Sequence, residues 1–137
     1  SELDMPVIWA VHPRTRKNLA AFGLSALVES SHNVRAVDPV PYMETVSLLR
    51  NAAALLTDSG GMQKEAYFFG VPCVTLREET EWVETVDLGW NRLVGTDRAA
   101  IVAAAHERAV PSERPAVYGD GHAAETIVNV LESELRA

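Results

Sequence analysis

Short apolar runs rich in branched residues alternate along the chain with longer stretches in which apolar positions recur every three or four residues. The runs at 6–11, 34–37, 53–57, 73–76 and 92–94 read as strands. Between them, 15–28, 42–51, 61–69, 81–88 and 97–108 have the spacing or composition of helices. Strands that return through helices imply right-handed crossovers, so this order predicts a parallel sheet covered on both faces. The fold class is α/β, a Rossmann-like parallel sheet flanked by helices. The stretch Val110-Pro111-Ser112-Glu113-Arg114-Pro115 interrupts the alternation, and a final helix is expected over 123–135. Its apolar stripe is Ile127, Val130, Leu131 and Leu135.

Composition adds limits. At 137 residues and 47% hydrophobic, the chain is expected to form a single domain, 1–137, with its own core. A formal charge of -7 without a basic run disfavours nucleic acid and anionic membranes as partners, although a single phosphate needs only local donors. No run approaches a membrane span and no signal peptide is visible, which makes the cytoplasm the default compartment. The single cysteine, Cys73, sits in an apolar run and reads as a core thiol. His32, His106 and His122 lack metal-ligand spacing, so no metal site is expected.

The segment Leu55-Leu56-Thr57-Asp58-Ser59-Gly60-Gly61-Met62-Gln63-Lys64-Glu65-Ala66 runs from a buried strand through small residues into a helix. Amides of a helix's first turn have no internal acceptors, and paired glycines let a phosphate approach without a Cβ clash. Ser59, Gly60 and Gly61 are therefore candidate phosphate ligands. The same residues would also make an ordinary N-cap and tight turn. On that helix Met62, Ala66 and Phe69 define an expected buried stripe, and Glu65 falls on the same side. A carboxylate there needs a partner. Ribose hydroxyls would serve, as would an ion pair to Arg77 or Arg50. Ligands of open parallel sheets collect beyond the carboxyl ends of the strands, which adds His12-Pro13-Arg14, the loop around Pro41 and Tyr42, and Arg77 through Glu81. The acidic run Glu78 to Glu84 reads as an exposed face, and Trp9, Trp82 and Trp90 as packing residues.

Taken in order, these motifs resemble the non-hydrolysing UDP-N-acetylglucosamine 2-epimerases, which have the two-domain glycosyltransferase-B fold. The resemblance rests on Thr57 through Ala66, Gly70-Val71-Pro72, Leu76-Arg77, Glu79-Thr80-Glu81, Glu84 and Leu93-Val94-Gly95. Val11-His12-Pro13 precedes them, and Tyr118-Gly119-Asp120-Gly121 with Ala123-Ala124 follows. It implies that Ser59, Gly60 and Gly61 hold the diphosphate of UDP, Glu65 the ribose hydroxyls, and the Pro41–Tyr42 loop the uracil. Arg77 would lie beside the phosphates and His12 in the interdomain cleft. Two departures stand out: Trp82-Val83 replaces an Arg-Pro common in the family, and Thr45 stands where some members place a uracil-stacking aromatic.

Similar enzymes invert C2 of UDP-N-acetylglucosamine by anti elimination of UDP and its re-addition, with carboxylates of the amino-terminal domain as acid and base. No cofactor is implied. The resemblance thus predicts the nucleotide-binding carboxyl-terminal half, without catalytic residues of its own, binding UDP or a UDP-N-acetylhexosamine. A UDP-sugar glycosyltransferase donor half and a module that no longer binds nucleotide are the competing readings. The resembled fold also places a strand between the first and third strands of this chain. Without it those two strands are expected to pair directly, in the order 2-1-3-4-5, or to accept a strand from another molecule. That edge and the stripe on the last helix predict a homo-oligomer.

Overall fold

The computed structural model describes residues 2–135; Ser1, Arg136 and Ala137, part of the expected 1–137 domain, lie outside the described residues. The alternation reads out as β1 (Val7–Ala10), α1 (Pro13–Ala21), α2 (Ser25–Glu29), β2 (Val34–Val37), α3 (Tyr42–Arg50) and β3 (Leu55–Thr57). It continues through α4 (Gly60–Phe69), β4 (Cys73–Thr75), α5 (Val83–Asp87), β5 (Asn91–Leu93), α6 (Arg98–His106) and α7 (Ala123–Leu135). Every strand pairing among the described residues is parallel.

Two expectations are corrected. The helix expected over 15–28 is two helices, because Gly23 adopts a left-handed conformation (φ 69°) and turns the chain after Phe22. The strands do not form one sheet in the order 2-1-3-4-5. β1 pairs with β2, β3 pairs with β4 and β4 with β5, and no ladder joins β1 to β3. β3 is only three residues long, so direct pairing would gain few hydrogen bonds. The facing edges of β1 and β3 therefore stay without a strand partner among the described residues.

β4 is the middle strand of the larger sheet, and Cys73, Val74 and Thr75 are all buried. Leu49 of α3, Ala66 of α4, Val71 and Cys73 form the core cluster, with Ala52, Leu55 and Met62 packed around it. Cys73 is the core thiol expected; burial pushes its pKa up to about 11, so it is protonated at neutral pH.

The carboxyl end of α4 is fixed in a way that bears on its other end. Gly70 is left-handed (φ 69°), the amide of Val71 donates to Ala66 O and that of Gly70 to Tyr67 O, which is a Schellman cap. The Arg114 guanidinium donates to the carbonyls of Tyr67 (2.9 Å) and Phe68 (2.8 Å), placing a cation at the negative end of the helix dipole. Trp90 Nε1 donates to Glu113 O and the Tyr67 hydroxyl to Pro115 O, so residues 113–115 strap this end down. By contrast α7 exposes its stripe: Ile127, Val130, Leu131 and Leu135 are all more than half exposed.

A Cβ at Gly70 would stand 2.8 Å from Arg114 Nη1, in a backbone conformation that L-residues avoid. Gly70→Ala is expected to cost about 1–3 kcal/mol of stability, read by urea unfolding, because it strains the cap and pushes Arg114 off its carbonyls.

Candidate functional site

Strand β3 ends at Thr57, whose hydroxyl accepts from the amide of Ser59 and shapes the turn into α4. Ser59 is the N-cap, in an extended conformation, and its Oγ accepts a long bond of 3.5 Å from the Met62 amide. Thus the N-cap that the residues also permitted is real. It satisfies one first-turn donor and leaves the Ser59 hydroxyl hydrogen and the amides of Gly60 and Gly61 facing outward, with no carbonyl a turn below them. At Gly61 the only neighbour an added Cβ would meet is Ser59 Oγ at 3.9 Å, so nothing in the protein itself requires glycine there. A helical glycine costs about 1 kcal/mol relative to alanine.

The buried face of α4 differs from the expected stripe. Gln63, Ala66 and Tyr67 are the buried residues, Met62 is half-buried and Phe69 is 38% exposed. Glu65 stands at the margin, half-buried, with Oε2 shielded from solvent and without a hydrogen-bond partner. Neither candidate cation reaches it. Arg77 is committed to Glu81, at 3.0 and 3.3 Å, and Arg50 lies over the Phe69 ring. The group that does face Glu65 is the Tyr42 hydroxyl, from the first turn of α3; the carboxylate's charge and hydrogen bond raise the phenol's pKa. Tyr42 is exposed. Glu65 and Tyr42 thus converge, one turn inward from the glycine pair.

His12 belongs to the other sheet's end. It caps α1, its Nδ1 accepting from the Arg14 amide at 3.2 Å, which leaves the proton of the neutral ring on Nε2. No hydrogen bond or ion pair among the described residues joins it to the Ser59–Glu65 group. Thr45 turns its hydroxyl back to Pro41 O (3.2 Å) and offers no ring to a base. The acidic segment is exposed as expected.

Sequence reasoning missed the residue that organises this end of the molecule. Gln63, with no exposed surface, accepts from the Thr80 hydroxyl (2.6 Å) and from Asn91 Nδ2 (3.1 Å). Asn91 also donates to Thr85 Oγ1 and accepts from Thr75 Oγ1, and Thr85 Oγ1 donates to Trp82 O. The amide of Trp82 donates in turn to Thr80 Oγ1. This buried chain ties the loop between β4 and α5 to the start of α4. Its signal was faint: Thr75 stands in an apolar run, but Thr80 lies between Glu79 and Glu81, Thr85 follows Glu84 and Asn91 precedes Arg92, so they read as part of a solvated stretch.

A glycine-rich helix start at the end of a parallel strand, with a carboxylate and a phenol one turn further in, sits on the α/β architecture of parallel strands flanked by helices that glycosyltransferase-B-type proteins have. The comparisons make the assignment narrower. Residues 1–132 match the model of UDP-N-acetylglucosamine 2-epimerase, and the chain belongs to that family. It is 45% identical to a UDP-N-acetylglucosamine 2-epimerase homolog of Methanococcus maripaludis, over 96% of this chain and 37% of that protein. It is 44% identical to the UDP-2,3-diacetamido-2,3-dideoxy-D-glucuronate 2-epimerase of Pseudomonas aeruginosa, over 92% of this chain and 34% of that one. Among solved structures, the Methanocaldococcus jannaschii UDP-GlcNAc 2-epimerase in complex with UDP-GlcNAc and UDP superposes with a TM-score of 0.81 at 38% identity. That match covers 95% of this chain and 36% of the other. The chain therefore spans about a third of the length of the relatives it matches.

Replacing Gln63 by Leu leaves the Thr80 hydroxyl and one Asn91 donor without acceptors in a dry interior. The expected loss is about 1–3 kcal/mol, read by thermal unfolding.

Proposed function

We propose that this chain supplies the UDP-binding half of an epimerase that inverts C2 of a UDP-linked 2-acetamido sugar, converting UDP-N-acetylglucosamine and UDP-N-acetylmannosamine into one another. The observation that carries the reading is Glu65: a shielded carboxylate oxygen with no protein partner, facing the Tyr42 hydroxyl one turn in from two free helix-start amides. The vicinal hydroxyls of a ribose can both donate to such a carboxylate, while the diphosphate receives Ser59, Gly60 and Gly61. The open space at Gly61 supports this, since a phosphate seated there accounts for a glycine the protein alone does not need. Tyr42 then lies toward the base. Arg77, released from Glu81, is within reach of the phosphates, and His12 caps the far side of the cleft.

The named relatives share UDP and epimerisation at C2 and differ in the sugar. The nucleotide end is thus common ground, and sugar selectivity belongs to the two-thirds of such proteins that this chain does not span. The acid and base of the reaction belong there as well, so these 137 residues alone bind UDP and turn nothing over. The reaction would run in the cytoplasm, where it supplies an activated sugar for polysaccharide assembly. No helix among the described residues is long and apolar enough to cross a membrane.

Glu65→Gln is expected to weaken UDP binding by about 1.5–3 kcal/mol and to leave inorganic pyrophosphate, which has no ribose, almost unaffected in calorimetric titrations. Equal losses for both ligands would assign Glu65 to the fold. For the 137 residues alone, the uncovered stripe of α7 predicts self-association, and light scattering at micromolar concentration is expected to give a dimer or larger; a stable monomer would count against it.

A further inference from the structure

Trp82 has an indole N–H that the fold does not use. Its main chain is held at both ends, the amide on Thr80 Oγ1 (3.1 Å) and the carbonyl by Thr85 Oγ1 (2.7 Å), so the side chain is aimed by the buried Gln63–Asn91 network. Its ring is fully accounted for by packing: Tyr118 meets it edge to face at 5.8 Å, and the Lys64 ammonium lies 4.5 Å above it. Its Nε1 is shielded from solvent and has no hydrogen-bond partner. A buried donor left unpaired costs about 1–3 kcal/mol and calls for an explanation.

Where that N–H sits supplies one. The position a Cβ would take at Gly60, the first residue of α4, lies 3.4 Å from Trp82 Nε1 and 3.3 Å from Glu81 Oε2. Glycine therefore keeps open a notch with the indole N–H on one side and the Glu81 carboxylate on the other. Glu81 is exposed, and Arg77 is its only ion-pair partner among the described residues. Lys64 stands four residues beyond Gly60, on the same side of α4, and brings its positive charge to the indole.

We propose that Trp82 is a phosphate ligand of this site, donating its indole N–H to the diphosphate beside the Gly60 and Gly61 amides as the phosphate displaces the Glu81 carboxylate from the notch. Lys64, stacked on the indole, supplies positive charge at this end of α4. The assignment rests on the diphosphate lying at the start of α4, as the proposed function has it.

The test compares the protein with its Trp82→Phe variant, which keeps a ring for Lys64 and Tyr118 and removes the N–H. Titration with UDP, pyrophosphate and uridine is expected to show UDP and pyrophosphate weakened about tenfold or more, with uridine unchanged. The thermal midpoint is expected to hold, and any change in tryptophan fluorescence on UDP binding to disappear with Trp82, although Trp9 and Trp90 remain. Unchanged UDP affinity would overturn the assignment. So would equal weakening of UDP and uridine, which would mark Trp82 as a packing residue only. A wild-type protein that binds UDP through its uridine but ignores pyrophosphate would remove the phosphate from α4 and Trp82 with it. One that binds none of the three would instead sink the nucleotide reading itself.

Discussion

The carboxamide oxygen of Gln63, a residue with no exposed surface, accepts two hydrogen bonds, and the carboxyl end of the larger sheet depends on it. One bond reaches the loop between β4 and α5 through Thr80, the other reaches β5 through Asn91. Besides the Lys64 ammonium over the Trp82 ring, the Thr80 bond is what holds that loop against α4 among the described residues, because its acidic residues are exposed. The loop in turn sets Trp82 and Glu81 beside Gly60. A buried polar network of this kind fixes position at the expense of tolerance, and Gln63 Nε2, shielded and without a partner of its own, already carries part of that cost.

The helix that carries Gln63 is electrically completed at its carboxyl end only. Its amino end offers unsatisfied amides, and its carboxyl end is closed by a Schellman turn and the Arg114 guanidinium. A cation on the last carbonyls leaves the dipole's positive end as the unmatched one, which is the arrangement an anionic ligand needs. Tyr67 and Trp90 link the same strap to the core, so the carboxyl-end fixture is part of the packing and not an appendage.

Much of this was legible in the residues, and the limits have physical causes. Strands and most helices followed from periodicity, and the N-cap, glycine pair and Glu65 from their positions relative to a strand end. The break after Phe22 required weighing Gly23 as a left-handed turn, where the helical pattern on both sides argued for continuity. The buried stripe of α4 was misplaced by about one residue because its most buried member is a glutamine, and a hydrophobicity pattern assigns a glutamine to solvent. Trp82 was read as packing, which is true of its ring; only three-dimensional placement separates the ring from its N–H. Sheet order was the least legible feature, since pairing of β1 with β3 depends on neighbours and not on either strand's own sequence.

The separation of the two sheets has a consequence for how the chain assembles. β3, α4, β4, α5 and β5 are consecutive, every hydrogen-bonded strand pair within them closes a short loop, and the Gln63 network lies inside the same span. Such a unit has low loop-closure entropy and can form cooperatively without β1 and β2. α3 packs its Leu49 into the same core cluster, so Tyr42 at its start is set with this unit, whereas β1 and β2 share no strand ladder with it. β1 and β2 then add as a separately paired two-stranded sheet, and fraying at its edges need not loosen the larger one.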